Sequence, residues 1–277
     1  MSLSEQQGQR LGLHARSQWS PHLEACCLLL SANESYQDAA QDIAVLTGLS
    51  VSKSTQQRLV HRHEFPPESV DCGVKEMSID GGKVRLRTPK GQSSEWRDYK
   101  GVDLHQCCVS AFFRQNDDLV EWINQHPLAS PVVCLGDGHD GIWTLFAQID
   151  AQVQRLEILD WYHLMENLAK VGGSQQRLEA VEAYLWRGDI ERAVKQFNDW
   201  PHERAERFIA YLAKHRHRIV NYAYYQAEGI SIGSGEIEST VKQIGRRVKI
   251  AGAQWDRTNV PQVLKHRCAY LNDYFSK

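Results

Sequence analysis

Pro131-Val-Val-Cys-Leu135 is a short, uninterrupted apolar run that stops abruptly at Gly136-Asp-Gly-His-Asp-Gly141. A run this short and continuous is typical of a strand buried on both faces, which calls for a sheet covered by helices. The rim beyond the carboxyl end of such a strand is where open α/β sheets hold their ligands. Asp137 falls on that rim. Asp140 can cap the helix that follows, which leaves Asp137 free for another job. A glycine-rich turn that merely ends a strand has the same pattern.

The surroundings fit a mixed sheet with flanking helices, an α/β class. Glu76–Asp80 predicts a strand, Gly81-Gly82 its turn, and Lys83–Thr88 an alternating return strand. A further strand is expected over about 101–113 and a last one over Arg155–Leu159, with helices over Asp117–Gln125 and Gly141–Ile149. From His163 onward the pattern is almost wholly helical. The stretches 176–200, 203–225, 236–250 and 263–274 are expected as helix, with a Gly/Ser break over 229–235.

Ahead of the sheet, residues 1–21 are rich in Gln, Ser and Gly and are expected to be a loose tail. Residues 22–67 are helical in pattern. After a run over His22–Ser31, Tyr36, Ala39, Ala40, Ile43 and Leu46 recur at helical spacing, up to Thr47-Gly48, a usual helix stop. Ser52 can cap a second, polar helix carrying Lys53, Thr55, Gln56, Gln57 and Arg58. Helix, glycine turn and polar helix match a helix-turn-helix as well as a plain helical hairpin. Pro66-Pro67 marks the linker to the domain spanning 68–277.

Composition narrows the class without naming a partner. The 277 residues carry a formal charge of −2, with 42% hydrophobic and 24% charged residues, as in an ordinary soluble globular protein. The longest apolar run, Ala25–Leu30, is too short to span a bilayer, and no leader pattern opens the sequence, so a cytoplasmic protein is expected. The seven cysteines include no C-x-x-C, and most lie in apolar surroundings, which suits free thiols in a reducing compartment. Because the overall charge is near zero, a claim of nucleic-acid binding must rest on local clusters.

Three acidic residues stand out. Asp80 ends the first strand ahead of paired glycines that let a ligand backbone approach, although a turn-initiating Asp reads the same way. Asp137 is the second. Glu238 falls in the first turns of a helix opened by Gly233-Ser-Gly235. Glu238, Lys242 and Arg246 share a spacing of four, which suits a salt-bridge ladder or a metal ligand beside phosphate-binding cations. Three carboxylates from two strand ends and a helix suit a pair of divalent cations, which need hard oxygen ligands. Such a pair activates the attacking oxygen and stabilises the leaving one in phosphoryl displacement. Asp160 and His163, in Asp-Trp-Tyr-His after the last strand, can orient the helix start or contact substrate. Residues 239–277 hold eight Lys/Arg, including Lys242, Arg246, Arg247 and Lys249, against Asp256 and Asp273, with aromatics interleaved. That is a phosphate-neutralising composition, or a solvated face.

Ser78-Ile-Asp-Gly-Gly-Lys-Val-Arg-Leu-Arg-Thr88, Gly136-Asp-Gly-His-Asp-Gly-Ile-Trp143, Leu159-Asp-Trp-Tyr-His-Leu164 and Gly233-Ser-Gly-Glu-Ile-Glu-Ser239 occur in that order, followed by Arg246–Trp255. Together they resemble the DDE transposases of bacterial insertion sequences, specifically the Kra-type family related to Mutator-like elements, from about His22 to the C-terminus. The resemblance implies a ribonuclease-H-like fold with a helical insertion over about 161–230. It implies that Asp80, Asp137 and Glu238 are the catalytic, metal-binding triad for Mg²⁺ (Mn²⁺ as substitute). Asp160 and His163 match the family's Asp/Cys-x-x-His element, Trp143 the aromatic after the second Asp, and residues 35–61 the helix-turn-helix. DNA contacts are expected from Lys53, Gln56, Arg58, Trp143, Asp160, His163, Lys242, Arg246, Arg247 and Lys249. The expected activity is metal-dependent cleavage at element ends and strand transfer into target DNA. The expected partners are DNA and further copies of the chain, with no membrane, in a bacterial, nucleoid-associated setting. A non-catalytic DNA-binding regulator and a two-metal nuclease on RNA/DNA hybrids are the competing readings.

Overall fold

The computed structural model describes residues 5–10, 19–67, 70 and 73–276. Much of the expected tail, and Cys72, lie outside them; a short helix, α1 (Glu5–Arg10), occupies part of that segment. The chain divides into two compact units, one of residues 1–68, 82–99 and 242–277, the other of 69–81 and 100–241.

In the first unit, α2 (Pro21–Ser31), α3 (Tyr36–Thr47) and α4 (Lys53–Arg62) each begin at a serine whose hydroxyl accepts the N–H three residues on: Ser20 from Leu23, Ser35 from Asp38, Ser52 from Thr55. Gly48 ends α3 at φ 71°, the left-handed conformation that glycine adopts without strain. Leu23, Cys27, Leu28, Ile43, Leu59 and Val60 form the core of the three helices. Ala39 and Ile43 make the buried stripe of α3, whereas Leu46 is 72% exposed.

The sheet has five strands, β1 (Val74–Leu86), β2 (Glu95–Leu104), β3 (Cys108–Phe112), β4 (Leu128–Gly136) and β5 (Arg155–Leu159), in the order β3-β2-β1-β4-β5. β2 and β3 are antiparallel; β1–β4 and β4–β5 are parallel. Helices α5 (Asn116–Asn124) and α6 (Asp140–Phe146) flank β4 in sequence. The result is an α/β fold with a mixed five-stranded sheet and flanking helices, compatible with a ribonuclease-H-like fold. Val132–Leu135 are buried, as the apolar run predicts for a central strand.

Two strand boundaries differ from expectation. Gly81-Gly82 is not a turn: β1 runs straight through it to Leu86. Gly82 serves close packing instead, since a Cβ there would stand 2.2 Å from Cζ of Tyr99. The strand expected over 101–113 is in fact two, broken at His105–Cys107, where Gln106 takes φ 59°.

The rest of the chain is helical: α7 (Trp161–Ala169), α8 (Gln175–Trp186), α9 (Ile190–Lys195), α10 (Glu203–Lys214), α11 (Tyr222–Ala227), α12 (Gly235–Val248) and α13 (Val260–Leu271). Gly188, at φ 72°, divides the expected 176–200 helix into α8 and α9. The core of the second unit runs from Val74 and Met77 through Cys134 and Leu135 to Leu164, Leu185, Leu212 and Tyr222, so strands and helices share one apolar interior. In the first unit, Gln262 of α13 donates to the carbonyls of Val60 and His63, both at 2.8 Å, tying α13 to the end of α4. Among the described residues, no helix is long and apolar enough to cross a membrane.

Candidate metal centre

Backbone register builds the centre. Glu76, Met77 and Ser78 of β1 stand opposite Val133, Cys134 and Leu135 of β4; Leu135 and Gly136 stand opposite Ile158 and Leu159 of β5. Continuing the same step sets Asp80 level with Asp137 and Asp137 level with Asp160. The backbone N–H of Asp160 donates to Gly136 O at 2.8 Å, carrying the β4–β5 ladder to that level. Neighbouring strands are about 4.8 Å apart, and residues level with one another in a parallel pair share a face. Asp80 therefore falls inside β1, not at its end as the sequence suggests, level with Asp137 and Asp160, which directly follow β4 and β5.

The electrostatics agree with that geometry. Burial raises the Asp80 carboxyl above its usual range. The Gly81 N–H, 2.6 Å from Oδ1, and the cation of His163 oppose the rise, and the charges of Asp137 and Glu238 add to it. Asp80, Asp137 and Glu238, far apart in sequence, thus act on one another in the folded chain. Asp137 Oδ1 accepts the backbone N–H of His139 at 2.8 Å.

Asp160 is fully buried and caps α7, accepting the N–H of His163 at 2.7 Å on Oδ1. Its Oδ2 accepts both the hydroxyl of Ser234, at 2.6 Å, and the backbone N–H of Ser234. Burial pushes its carboxyl up, but the bonds from His163 and Ser234 outweigh it, and the carboxyl sits below the usual range. The N–H of Glu238 donates in turn to Ser234 O at 3.1 Å. Asp160 thereby anchors the residue that opens α12, one turn before Glu238.

His163 Nδ1 lies 3.3 Å from Asp160 Oδ1. That pairing, reinforced by the charges of Asp137 and Glu166 against the opposing cost of burial, pushes the imidazole up to about 9. Among the described residues, Asp160, His163 and Glu238 form the group of three whose ligand atoms lie within 4.8 Å of one another; Asp80 and Asp137 are not part of it. The carboxylates of this group are hard donors of the kind divalent cations take, whereas the His163 imidazole, held protonated, stands beside them as a positive charge and not as a ligand. A carboxyl raised partly by its neighbours' negative charge marks a cluster that a cation would relieve.

Four expected nucleic-acid contacts are corrected. Gln56 is fully buried, and its Oε1 accepts from Ser31 at 2.9 Å inside the helical core. Arg247 is 2% exposed; its guanidinium lies between the rings of Tyr36 and Trp255, and Nε donates to Ser31 O at 2.6 Å. Trp143 is 5% exposed, packed on Gly136 and covered by Arg218 at 4.2 Å. Asp160 is internal and positions α7 and Ser234. Lys53, Arg58, Lys242, Arg246 and Lys249 are exposed, and Arg58 bonds to Ser54 O and Thr55 of its own helix.

Two participants have no signal in sequence reading. Ser234 was visible only as the middle of Gly-Ser-Gly. Tyr211 sits in an ordinary amphipathic helix, yet its hydroxyl points at Gly138, 2.6 Å from where a Cβ there would stand. No protein-family model matches the chain, and no curated protein matches it.

Proposed function

We propose that the chain is a DDE-type transposase that cleaves DNA and transfers the freed strand with the help of divalent cations. The observation that carries this reading is the parallel register of β1, β4 and β5, which, continued by one or two residues, levels Asp80, Asp137 and Asp160, with Glu238 brought to His163 and Asp160. The alignment supports a site for Mg²⁺ held by Asp80, Asp137 and Glu238. Cations held there would supply the Lewis acidity that activates an attacking oxygen and stabilises a leaving one at phosphorus.

The chain's own residues do the positioning. Asp80, from within β1, and Asp137, from just past the end of β4, present oxygens to the site. Asp160 anchors Ser234 and so fixes the helix that carries Glu238. His163 contributes positive charge against the carboxylates. In this reading α3 and α4 form a helix-turn-helix, the segment over about 161–230 is the helical insertion, and copies of the chain assemble on DNA in the bacterial cytoplasm.

The test is incubation with element-end DNA and Mg²⁺ or Mn²⁺, with and without EDTA. EDTA-sensitive nicks at element ends are expected. Sequence-specific binding without nicks would replace the enzyme by a regulator, and cleavage of RNA/DNA hybrids irrespective of sequence by a general nuclease.

A further inference from the structure

A cavity of about 660 Å³ opens between α7 and α10 in the second unit. Its polar lining consists of Asn167 and Lys170 from α7 and Arg204, Arg207 and Tyr211 from α10, over a floor of Val171 and Phe208. No carboxylate is among these residues, and all five polar side chains can donate hydrogen bonds.

The three cations are exposed. Lys170 Nζ reaches Asn167 Oδ1 at a long 3.4 Å. Arg207 pairs with Glu203 one turn earlier, an exposed pair of the kind that holds its partners weakly. Among the described residues Arg204 has no carboxylate partner. The Tyr211 hydroxyl is buried beside the side chain of Asn167. Burial above all, and then the charge of Asp137, pushes that phenol up to about 12, so it stays a donor.

The α7 segment links the cavity lining to the acidic cluster. Asp160, His163, Asn167 and Lys170 follow one another at spacings of three and four, which makes them a single stripe along α7. Asn167 Nδ2 donates to His163 O at 2.9 Å, and the Tyr211 ring lies beside Gly138, next to Asp137. The Asp160 carboxylate stands at one end of the stripe and the Lys170 ammonium at the other.

We infer that this cavity binds phosphodiester oxygens of a nucleic-acid strand lying across the acidic cluster, with Lys170, Arg204 and Arg207 neutralising phosphates and Tyr211 Oη donating to one of them. The identity of the ligand as a strand rests on the function proposed above. A chain of net charge −2 has no general attraction for polyanions, so this local patch carries the electrostatic term.

The experiment is fluorescence anisotropy of an end-labelled duplex oligonucleotide with the full chain in EDTA, across a salt series. Lys170→Gln/Arg204→Gln/Arg207→Gln is compared with a control triple, Arg187→Gln/Arg192→Gln/Lys195→Gln, and with Tyr211→Phe. Thermal melts show that each variant is folded. The cavity triple is expected to bind at least about 10-fold more weakly and to lose about 2–3 from the slope of log K against log salt. The control triple keeps the wild-type slope, and Tyr211→Phe weakens binding a few-fold.

Wild-type affinity and slope in the cavity triple overturn the inference, as does an absence of oligonucleotide binding. Displacement of the strand by inorganic phosphate beyond that caused by chloride at equal ionic strength also overturns it, by making the cavity a site for a free anion. Charge-dependent binding without any EDTA-sensitive nicking removes the proposed function and leaves the inference standing. Nicking that persists while the triple binds normally does the reverse.

Discussion

Glu236 and Glu238 stand two residues apart at the start of α12 and attend two different histidines. Glu236 Oε2 is 3.4 Å from His105 Nδ1, in a network completed by Glu76 and by Ser78, which meets His105 Nε2 at 2.8 Å. Glu238 lies within 4.8 Å of the ligand atoms of His163 and Asp160. Residues two apart on a helix point to different sides, so one cannot substitute for the other. Glu238→Gln is expected to abolish EDTA-sensitive nicking, by at least about 100-fold, while Glu236→Gln keeps it within a few-fold. Equal losses in the two variants, read on the same element-end DNA, would sink the assignment.

Asp80→Asn tests the strand side of the centre. The change keeps the shape of the side chain and removes its charge. Cleavage should fall at least about 100-fold, with DNA affinity in EDTA changed less than about 2-fold. Affinity lost in step with cleavage would speak against a metal-binding role for this carboxylate.

Asp160→Asn probes the hold on α7 and Ser234. His163 is pushed up to about 9 chiefly by Asp160, so its NMR titration midpoint in the metal-free protein should drop towards 6.5 or below in the variant. The pair's contribution to stability is fully present below pH 6.5 and is lost as pH rises through about 9. The carboxyl of Asp160, held low, acts in the opposite window, stabilising above pH 3.8 and losing that effect as pH falls further. Near neutral pH the variant should lose about 1–3 kcal/mol, measured by urea unfolding. An unmoved His163 midpoint would contradict the pairing.

Gly82→Ala should destabilise the chain by about 1–3 kcal/mol, because its Cβ would stand 2.2 Å from Cζ of Tyr99. Tyr99→Leu combined with Gly82→Ala should recover part of the loss. If the single variant melts at the wild-type temperature, the close approach is not what requires glycine here.

His215 and His266 are buried and held neutral. Burial is the main cause for each, with nearby cations adding to it, and their pKa values fall to about 4 and about 3. The unfolded chain takes up these protons below pH 6.5, whereas the folded chain does not. Stability is therefore lost as pH falls from 6.5, at about 2 kcal/mol per histidine between pH 7 and pH 5. Urea unfolding at the two pH values measures this, and His215→Leu should shrink the difference.

Some local chemistry was legible where one residue decides it. Ser52 caps a helix, Gly48 ends one in the left-handed conformation, and Arg155–Leu159 is a strand, but the cap expected from Asp140 is made by His139. Tertiary packing was not legible. Paired glycines ahead of a charged residue look like a turn, yet the need at Gly82 is room for the ring of Tyr99, a residue 17 positions away. Gln56 and Arg247 are polar by type, and only the fold shows that Ser31 draws both inside. Asp137 and Glu238 could be picked out as acids at element ends; Asp80 looked like one, yet β1 runs on past it to Leu86. That Asp160 aligns with Asp80 and Asp137 depends on strand register, which no local pattern encodes.

Asp80 within β1, and Asp137 and Asp160 just past β4 and β5, lie one or two steps beyond the last paired residues of two parallel ladders, so strand register sets them on one continued rung. Changes in length among the helices after β5 leave that rung untouched. What such changes can alter is the arrival of Glu238, the one acid delivered by a helix and held in place through a single serine.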